Sequence, residues 1–180
     1  MKNNLLILSY MGTGKTELSK KYKNVIDLDF QDYRYIYNIS IRHLPLEQRK
    51  GQEHLRTISS DYPNNFIKVV LEELEKGKIV VSPFIEHVFN AVDSNYEKIK
   101  EKNTRIILVF PNSNNYEEYA ERFRKRGNKE HFIELRRNEF PLLTEMFNNA
   151  DSKMYKKIII KPNQFLSQAL EEYKIELERI

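Results

Sequence analysis

The chain has 180 residues, 40% hydrophobic and 31% charged, enough to bury one core without cross-links. With no cysteine, it can form neither a disulfide, nor a thiolate metal site, nor a cysteine nucleophile. Thirty basic residues against 26 acidic ones give a net charge of +4, which suits an anionic ligand; the two signs are too interspersed to favour a nucleic-acid partner.

In chain order, short branched apolar runs alternate with longer amphipathic segments. That pattern predicts an α/β fold with a parallel sheet and helices on both faces. The first strand is NLLILS (4–9) and a helix follows at about 14–22. Its apolar run, Leu5 to Leu8, is far shorter than a signal-peptide core or a membrane span, so a cytoplasmic location with no membrane partner is expected. NVIDLD (24–29) is the second strand. The stretch from Gln31 to Tyr62 is rich in Tyr and Arg and poorly periodic, and is expected to be an inserted helical substrate-binding region. A helix at about 63–76 leads to KIVVS (78–82), and one at about 84–101 to TRIILVF (104–110). Helices at about 115–126 and 130–148, with a lid at about 115–135, precede KKIIIK (156–161) and a last helix at about 163–177. No repeat or linker divides these segments, so a single domain is expected.

Between the first strand and helix, SYMGTGKT departs from the phosphate-binding pattern GxxxxGK[ST] at one position, with Ser9 in place of the first glycine. Such a loop turns backbone N–H groups toward phosphate oxygens. Gly12, Thr13, Gly14, Lys15 and Thr16 are the expected nucleotide-binding residues: the glycines allow close approach, Lys15 reaches the β and γ phosphates, and the Thr16 hydroxyl can ligate Mg²⁺. In VIDLDF, Asp27 and Asp29 occupy alternate strand positions and project to one side. One can hold the metal's water shell while the other orients a substrate hydroxyl; both can equally cap a following helix.

In YEEYAERFRKRGN, Arg122 and Arg126 share a helical face and can close over a transferred phosphoryl group, with Gly127 and Asn128 ending the helix in a left-handed cap. Pairing with Glu118 and Glu121 is the alternative. Arg42, Arg49 and Arg56 recur every seven residues and suit either an acceptor-phosphate pocket or a solvated face. The histidines show no metal-ligand spacing, and Tyr33, Tyr35 and Tyr37 suit core packing or stacking on an acceptor base.

Together, SYMGTGKT, VIDLDF and ERFRKRGN resemble the small P-loop kinases of the nucleoside monophosphate kinase and shikimate kinase group. They are most similar to bacteriophage-encoded deoxynucleoside monophosphate kinase-like proteins, which also carry segments like DYPNNFIKVV and YxxRxxxRGN. The resemblance spans Leu5 to about Leu170. It implies a five-stranded parallel sheet in order 2-3-1-4-5, with ATP and Mg²⁺ at the switch point and a lid over the phosphates. It further implies Asp27 serving the metal with Thr16, Asp29 serving the acceptor, and Pro162 and Asn163 beside adenine. On this reading Lys15, Asp29, Arg122 and Arg126 are catalytic, and the activity is transfer of the ATP γ-phosphoryl group to a (deoxy)nucleoside monophosphate. The alternatives are a kinase for a polynucleotide 5′ end or another metabolite, and a non-catalytic ATP-binding phage regulator.

Overall fold

The computed structural model describes residues 4–49 and 52–177. Its elements are β1 (Asn4–Ser9), α1 (Lys15–Lys21), β2 (Val25–Asp27), α2 (Gln31–Arg34), β3 (Tyr35–Tyr37), α3 (Leu46–Arg49), a 3-10 turn (Glu53–Leu55), β4 (Arg56–Ile58) and α4 (Asn64–Glu75). They continue with β5 (Ile79–Pro83), α5 (Glu86–Ser94), α6 (Tyr96–Lys100), β6 (Thr104–Pro111), α7 (Tyr116–Lys125), α8 (Glu130–Asn149), β7 (Tyr155–Ile160) and α9 (Leu166–Glu172).

Five strands form one sheet in the spatial order β2-β5-β1-β6-β7, every neighbouring pair parallel. Numbered among themselves along the chain, these strands read 2-3-1-4-5. The side-chain period of two divides β1 between two cores. Leu6 and Leu8 join Val80, Ile106, Leu108 and Phe110 under helices α4, α5, α7 and α8, while Leu5 and Ile7 join Val81, Ile107, Val109 and Ile158 under α1 and α9. With helices on both faces, the central strands are continuously apolar, which is why their runs stand out in the sequence. In α4, Phe66, Ile67, Val70 and Leu74 make one buried stripe at helical spacing.

The segment expected as a helical insertion folds differently; its residues 50 and 51 lie outside the described ones. It holds an antiparallel two-stranded ribbon of β3 and β4, with Tyr35 opposite Ile58 and Tyr37 opposite Arg56, flanked by single-turn helices. Aromatic and β-branched residues at these positions favour extended backbone. Stacking fixes the ribbon: the guanidinium carbon of Arg56 lies 3.8 Å from the Tyr35 ring centre, and that of Arg49 lies 4.6 Å from Tyr37.

The stretch expected as a lid is largely packed down. Tyr116, Tyr119, Ala120 and Phe123 of α7 and Ile133 of α8 are buried in the core. Their apolar spacing in a charged sequence serves the core, and it leaves the runs from Arg124 to Gly127 and from Lys129 to His131 exposed, with Glu117, Glu121, Glu134 and Leu135. Gly127, at φ +78°, ends α7: its N–H donates to the Arg124 carbonyl, and Asn128 N–H reaches the Phe123 carbonyl.

Candidate functional site

The centre of the sheet is where β1 stops and its neighbours diverge, so a loop leaving β1 opens into a cleft. Ser9 is the last residue of β1 and the loop runs from Tyr10 to Gly14 before α1 begins. Tyr10 anchors it from below, buried edge-on against Phe110, Tyr119 and Phe140. Gly12 adopts φ +81°, and a Cβ there would stand 3.1 Å from the Phe123 ring and 3.3 Å from Tyr119; only glycine fits both the angle and the space. Among the described residues, the N–H groups of Gly12, Thr13, Gly14, Lys15 and Thr16 have no hydrogen-bond partner. A row of unpaired N–H groups on a bend is a cradle for an anion.

Lys15 Nζ donates to the Ser9 and Tyr10 carbonyls, each at 3.2 Å. Burial lowers its pKa to about 8, with Arg126 acting in the same direction while Asp27 and Asp29 oppose it. The Thr16 hydroxyl donates to Asp27 Oδ2 at 2.7 Å. Asp29, two residues past the end of β2, accepts from Gln31 N–H at 2.9 Å. Burial pushes its carboxyl up, the Gln31 N–H pulls it down, and Asp27 adds to the rise. Asp27, Asp29 and Arg126 are thus all close enough to Lys15 to act on its charge, and Thr16 is bonded to Asp27. Arg126 closes α7 and is exposed.

Arg122 is placed otherwise than expected. It donates to the Gly12 carbonyl at 3.0 Å and to the Gln164 carbonyl at 2.9 Å, and it pairs with Glu118. Its guanidinium stacks between Tyr119 and Phe165. Spacing puts Arg122 and Arg126 on one helical side, but the carbonyls under the loop claim Arg122. It therefore ties the loop after β1 to the turn after β7. Pro162 and Asn163 are exposed in that turn, and Asn163 N–H is held by Glu118 at 2.9 Å. The side chain nearest the loop there is Phe165, 47% exposed, whose ring lies 3.4 Å from where a Gly14 Cβ would be. Its preceding turn gave no sign of this contact, which depends on α9 packing beside α1.

The arginines read as acceptor candidates are mostly engaged. Arg49 donates to the Leu44 and Arg42 carbonyls and pairs with Asp32, and Arg56 is stacked on Tyr35. Two others were not singled out: Arg34 and Arg136, whose Nε atoms are buried without a hydrogen-bond partner. Both act on His87, where burial first and then these two cations lower the pKa to about 4. The imidazole is therefore neutral at pH 7. It sits between Phe30, with ring centres 4.6 Å apart, and Tyr62, whose hydroxyl is 2.7 Å from Nδ1. Arg136 is itself paired with Glu139 at 2.8 Å and Arg34 lies over the Tyr35 and Tyr62 rings, so with Phe30 these side chains form a packed cluster one residue along the chain from Asp29. Arg34, His87 and Arg136 come from three distant segments, and no spacing in the sequence joins them.

A metal ion needs oxygen donors here. Among the described residues no group of three or more acidic or histidine side chains converges on one point. The Thr16 hydroxyl and Asp27 carboxylate, 2.7 Å apart, still suit Mg²⁺, which keeps several waters and takes one or two protein oxygens plus phosphate oxygens. No helix among the described residues is long and apolar enough to cross a membrane.

No family model matches the chain, and no curated protein matches it. Among solved structures, it is similar to a gluconokinase from Sinorhizobium meliloti 1021, with a TM-score of 0.47 and 15% identity over 94% of this chain and 88% of that one. It is also similar to a chain of the PezAT chromosomal toxin-antitoxin system of Streptococcus pneumoniae, with a TM-score of 0.46 and 15% identity over 91% and 70%. At this identity, neither likeness bears on a substrate.

Proposed function

We propose that the chain is an ATP-dependent phosphotransferase that moves the γ-phosphoryl group to a hydroxyl or phosphate oxygen of a small anionic acceptor, with a (deoxy)nucleoside monophosphate as the acceptor class. The observation that carries this is the row of unpaired N–H groups from Gly12 to Thr16 ending beside Lys15, the Thr16–Asp27 pair and Asp29. Binding a nucleotide needs the loop and Lys15. Asp29 also holds the Gln31 N–H at the start of α2, but a half-buried carboxylate near Lys15 repels a polyanion, which favours a reacting acceptor over binding alone.

In this reading the loop N–H groups and Lys15 hold the triphosphate. Thr16 and Asp27 would hold Mg²⁺, which supplies charge neutralisation on the phosphates when bound. A bond forms between the acceptor oxygen and the γ-phosphorus as the bond from that phosphorus to the bridging oxygen breaks, and ADP leaves. For a hydroxyl acceptor, the proton passes to Asp29, whose raised pKa suits it to receive one. Arg126 offsets the charge on the transferring group, while Phe165 stands beside the loop on the base side. Arg122 holds the loop.

The assay is ADP release with an acceptor present. Arg126→Ala is expected to lower turnover by roughly 10² to 10³ while ATP affinity changes little. Arg124, paired with Glu121 and Glu130 on the outer face, is the control. Equal, small effects from the two substitutions would contradict the assigned role.

Lys15 also predicts a pH dependence. With its pKa at about 8 in the free protein, the ammonium is lost as pH rises through that value, whereas bound phosphates favour the charged form. Affinity for an ATP analogue should therefore fall above pH 8, with proton uptake on binding. Calorimetry at pH 8.5 in two buffers of different ionisation enthalpy reads this directly; identical heats would exclude it.

A further inference from the structure

We propose that Ser9, standing where the phosphate-loop pattern has glycine, is a positioning residue for nucleotide binding that acts through Thr13 on the Tyr10 carbonyl. Restoring the pattern's glycine should weaken binding rather than improve it. The proposal rests on the reading of Lys15 as the phosphate-binding cation.

The direction of the hydrogen bonds follows from counting protons. The Thr13 hydroxyl donates its single proton to the Tyr10 carbonyl at 2.8 Å, because a carbonyl can only accept. The 2.9 Å contact between Ser9 Oγ and Thr13 Oγ1 must then be donated by Ser9. The result is a directed chain, from Ser9 to Thr13 to the Tyr10 carbonyl. Both hydroxyl residues are fully buried, so water cannot replace either. Accepting a hydrogen bond strengthens the one that a hydroxyl donates, and it fixes the rotor.

This chain matters more with nucleotide bound than without it. In the free protein, Lys15 donates to two carbonyls, those of Ser9 and Tyr10. Each has a second donor: Phe84 N–H at 2.9 Å for Ser9, and the Thr13 hydroxyl for Tyr10. When Lys15 turns to a polyphosphate, the Ser9 carbonyl keeps a backbone partner within the sheet. The Tyr10 carbonyl is left with Thr13 alone. Weakening the hydroxyl chain therefore costs the bound state more than the free state, and a difference between states is what changes affinity. The Thr13 carbonyl, meanwhile, accepts Leu166 N–H at 2.9 Å, so Thr13 is held from both ends in the geometry that the chain requires.

The test is the affinity for a non-hydrolysable ATP analogue with Mg²⁺, by calorimetry, beside the urea midpoint of each ligand-free variant. Ser9→Ala and Ser9→Gly are each expected to weaken binding about twofold, because the bond exists in both states and only its cooperative strengthening differs between them. Thr13→Val should weaken it further, and Ser9→Ala added to Thr13→Val should bring no additional loss, since the chain is already cut. Thr13→Ser, which keeps the hydroxyl, should bind almost as the wild type does. Should Ser9→Ala fail to fold, Ser9→Gly and Thr13→Val carry the test. Shifted midpoints with unchanged affinity would make Ser9 merely structural and overturn the proposal, as would equal or tighter binding by Ser9→Gly. A wild type that binds no analogue would overturn the nucleotide reading itself, a separate and distinguishable failure.

Discussion

Lys15→Ala is expected to weaken ATP binding by about 10- to 100-fold and to abolish measurable phosphoryl transfer, the largest single effect in the site. The fold should survive. The two carbonyls that Lys15 holds each keep another donor, Phe84 N–H and the Thr13 hydroxyl, so its removal strands no buried acceptor. Burial already opposes the ammonium, so truncation relieves a desolvation cost and the melting temperature should hold or rise. Calorimetric titration with ATP and a thermal melt on the same preparation check both halves. A folded variant with unchanged affinity would remove Lys15 from the phosphate site.

Asp29→Asn is expected to leave binding of ATP with Mg²⁺ nearly intact while lowering ADP release by about 10³ or more with a hydroxyl acceptor, whose proton the carboxylate receives, and by far less with a nucleoside monophosphate, whose phosphate oxygen brings no proton. Asparagine keeps the size and can still accept from Gln31 N–H, which isolates the charge. Asp27→Asn should fail differently. Its Oδ2 accepts the Thr16 hydroxyl at 2.7 Å, in the pair that suits the metal, so the variant should demand more Mg²⁺ while keeping its acceptor response. Separate titrations of Mg²⁺ and acceptor for both variants distinguish the roles. Identical profiles would show that the two carboxylates do not divide the work.

The sheet was legible because its central strands are buried on both sides: NLLILS, KIVVS and TRIILVF each hold an unbroken apolar run, Leu5 to Leu8, Ile79 to Val81 and Ile106 to Phe110, and they match β1, β5 and β6 to within a residue. The loop after β1 was legible because the features of its pattern are local, a strand, two glycines at positive φ and Lys-Thr at a helix start. The ribbon of β3 and β4 was not, since a three-residue strand shows too little alternation to be told from a turn, and stacking of Arg49 and Arg56 on tyrosines fixes it only in three dimensions. Arg122 shows the limit of helical spacing: it names the face a side chain leaves from, not the carbonyls of Gly12 and Gln164 that capture it. The cluster of Arg34, His87 and Arg136 is likewise a product of topology, joining α2, α5 and α8. Ser9, which reads as a defect in the consensus, has a buried partner in Thr13 that sequence spacing alone does not reveal.

The most direct measurement is to follow the γ-phosphorus of ATP by ³¹P NMR in the presence of Mg²⁺ and, in turn, each member of a panel of acceptors: nucleoside and deoxynucleoside monophosphates, sugar acids and a 5′-hydroxyl oligonucleotide. The expected result is that the signal passes to a nucleoside or deoxynucleoside monophosphate as a diphosphate, with one ADP formed for each phosphoryl group moved. Tight ATP binding by the wild type with no transfer to any acceptor in the panel would contradict it and leave a nucleotide-binding protein in place of a kinase.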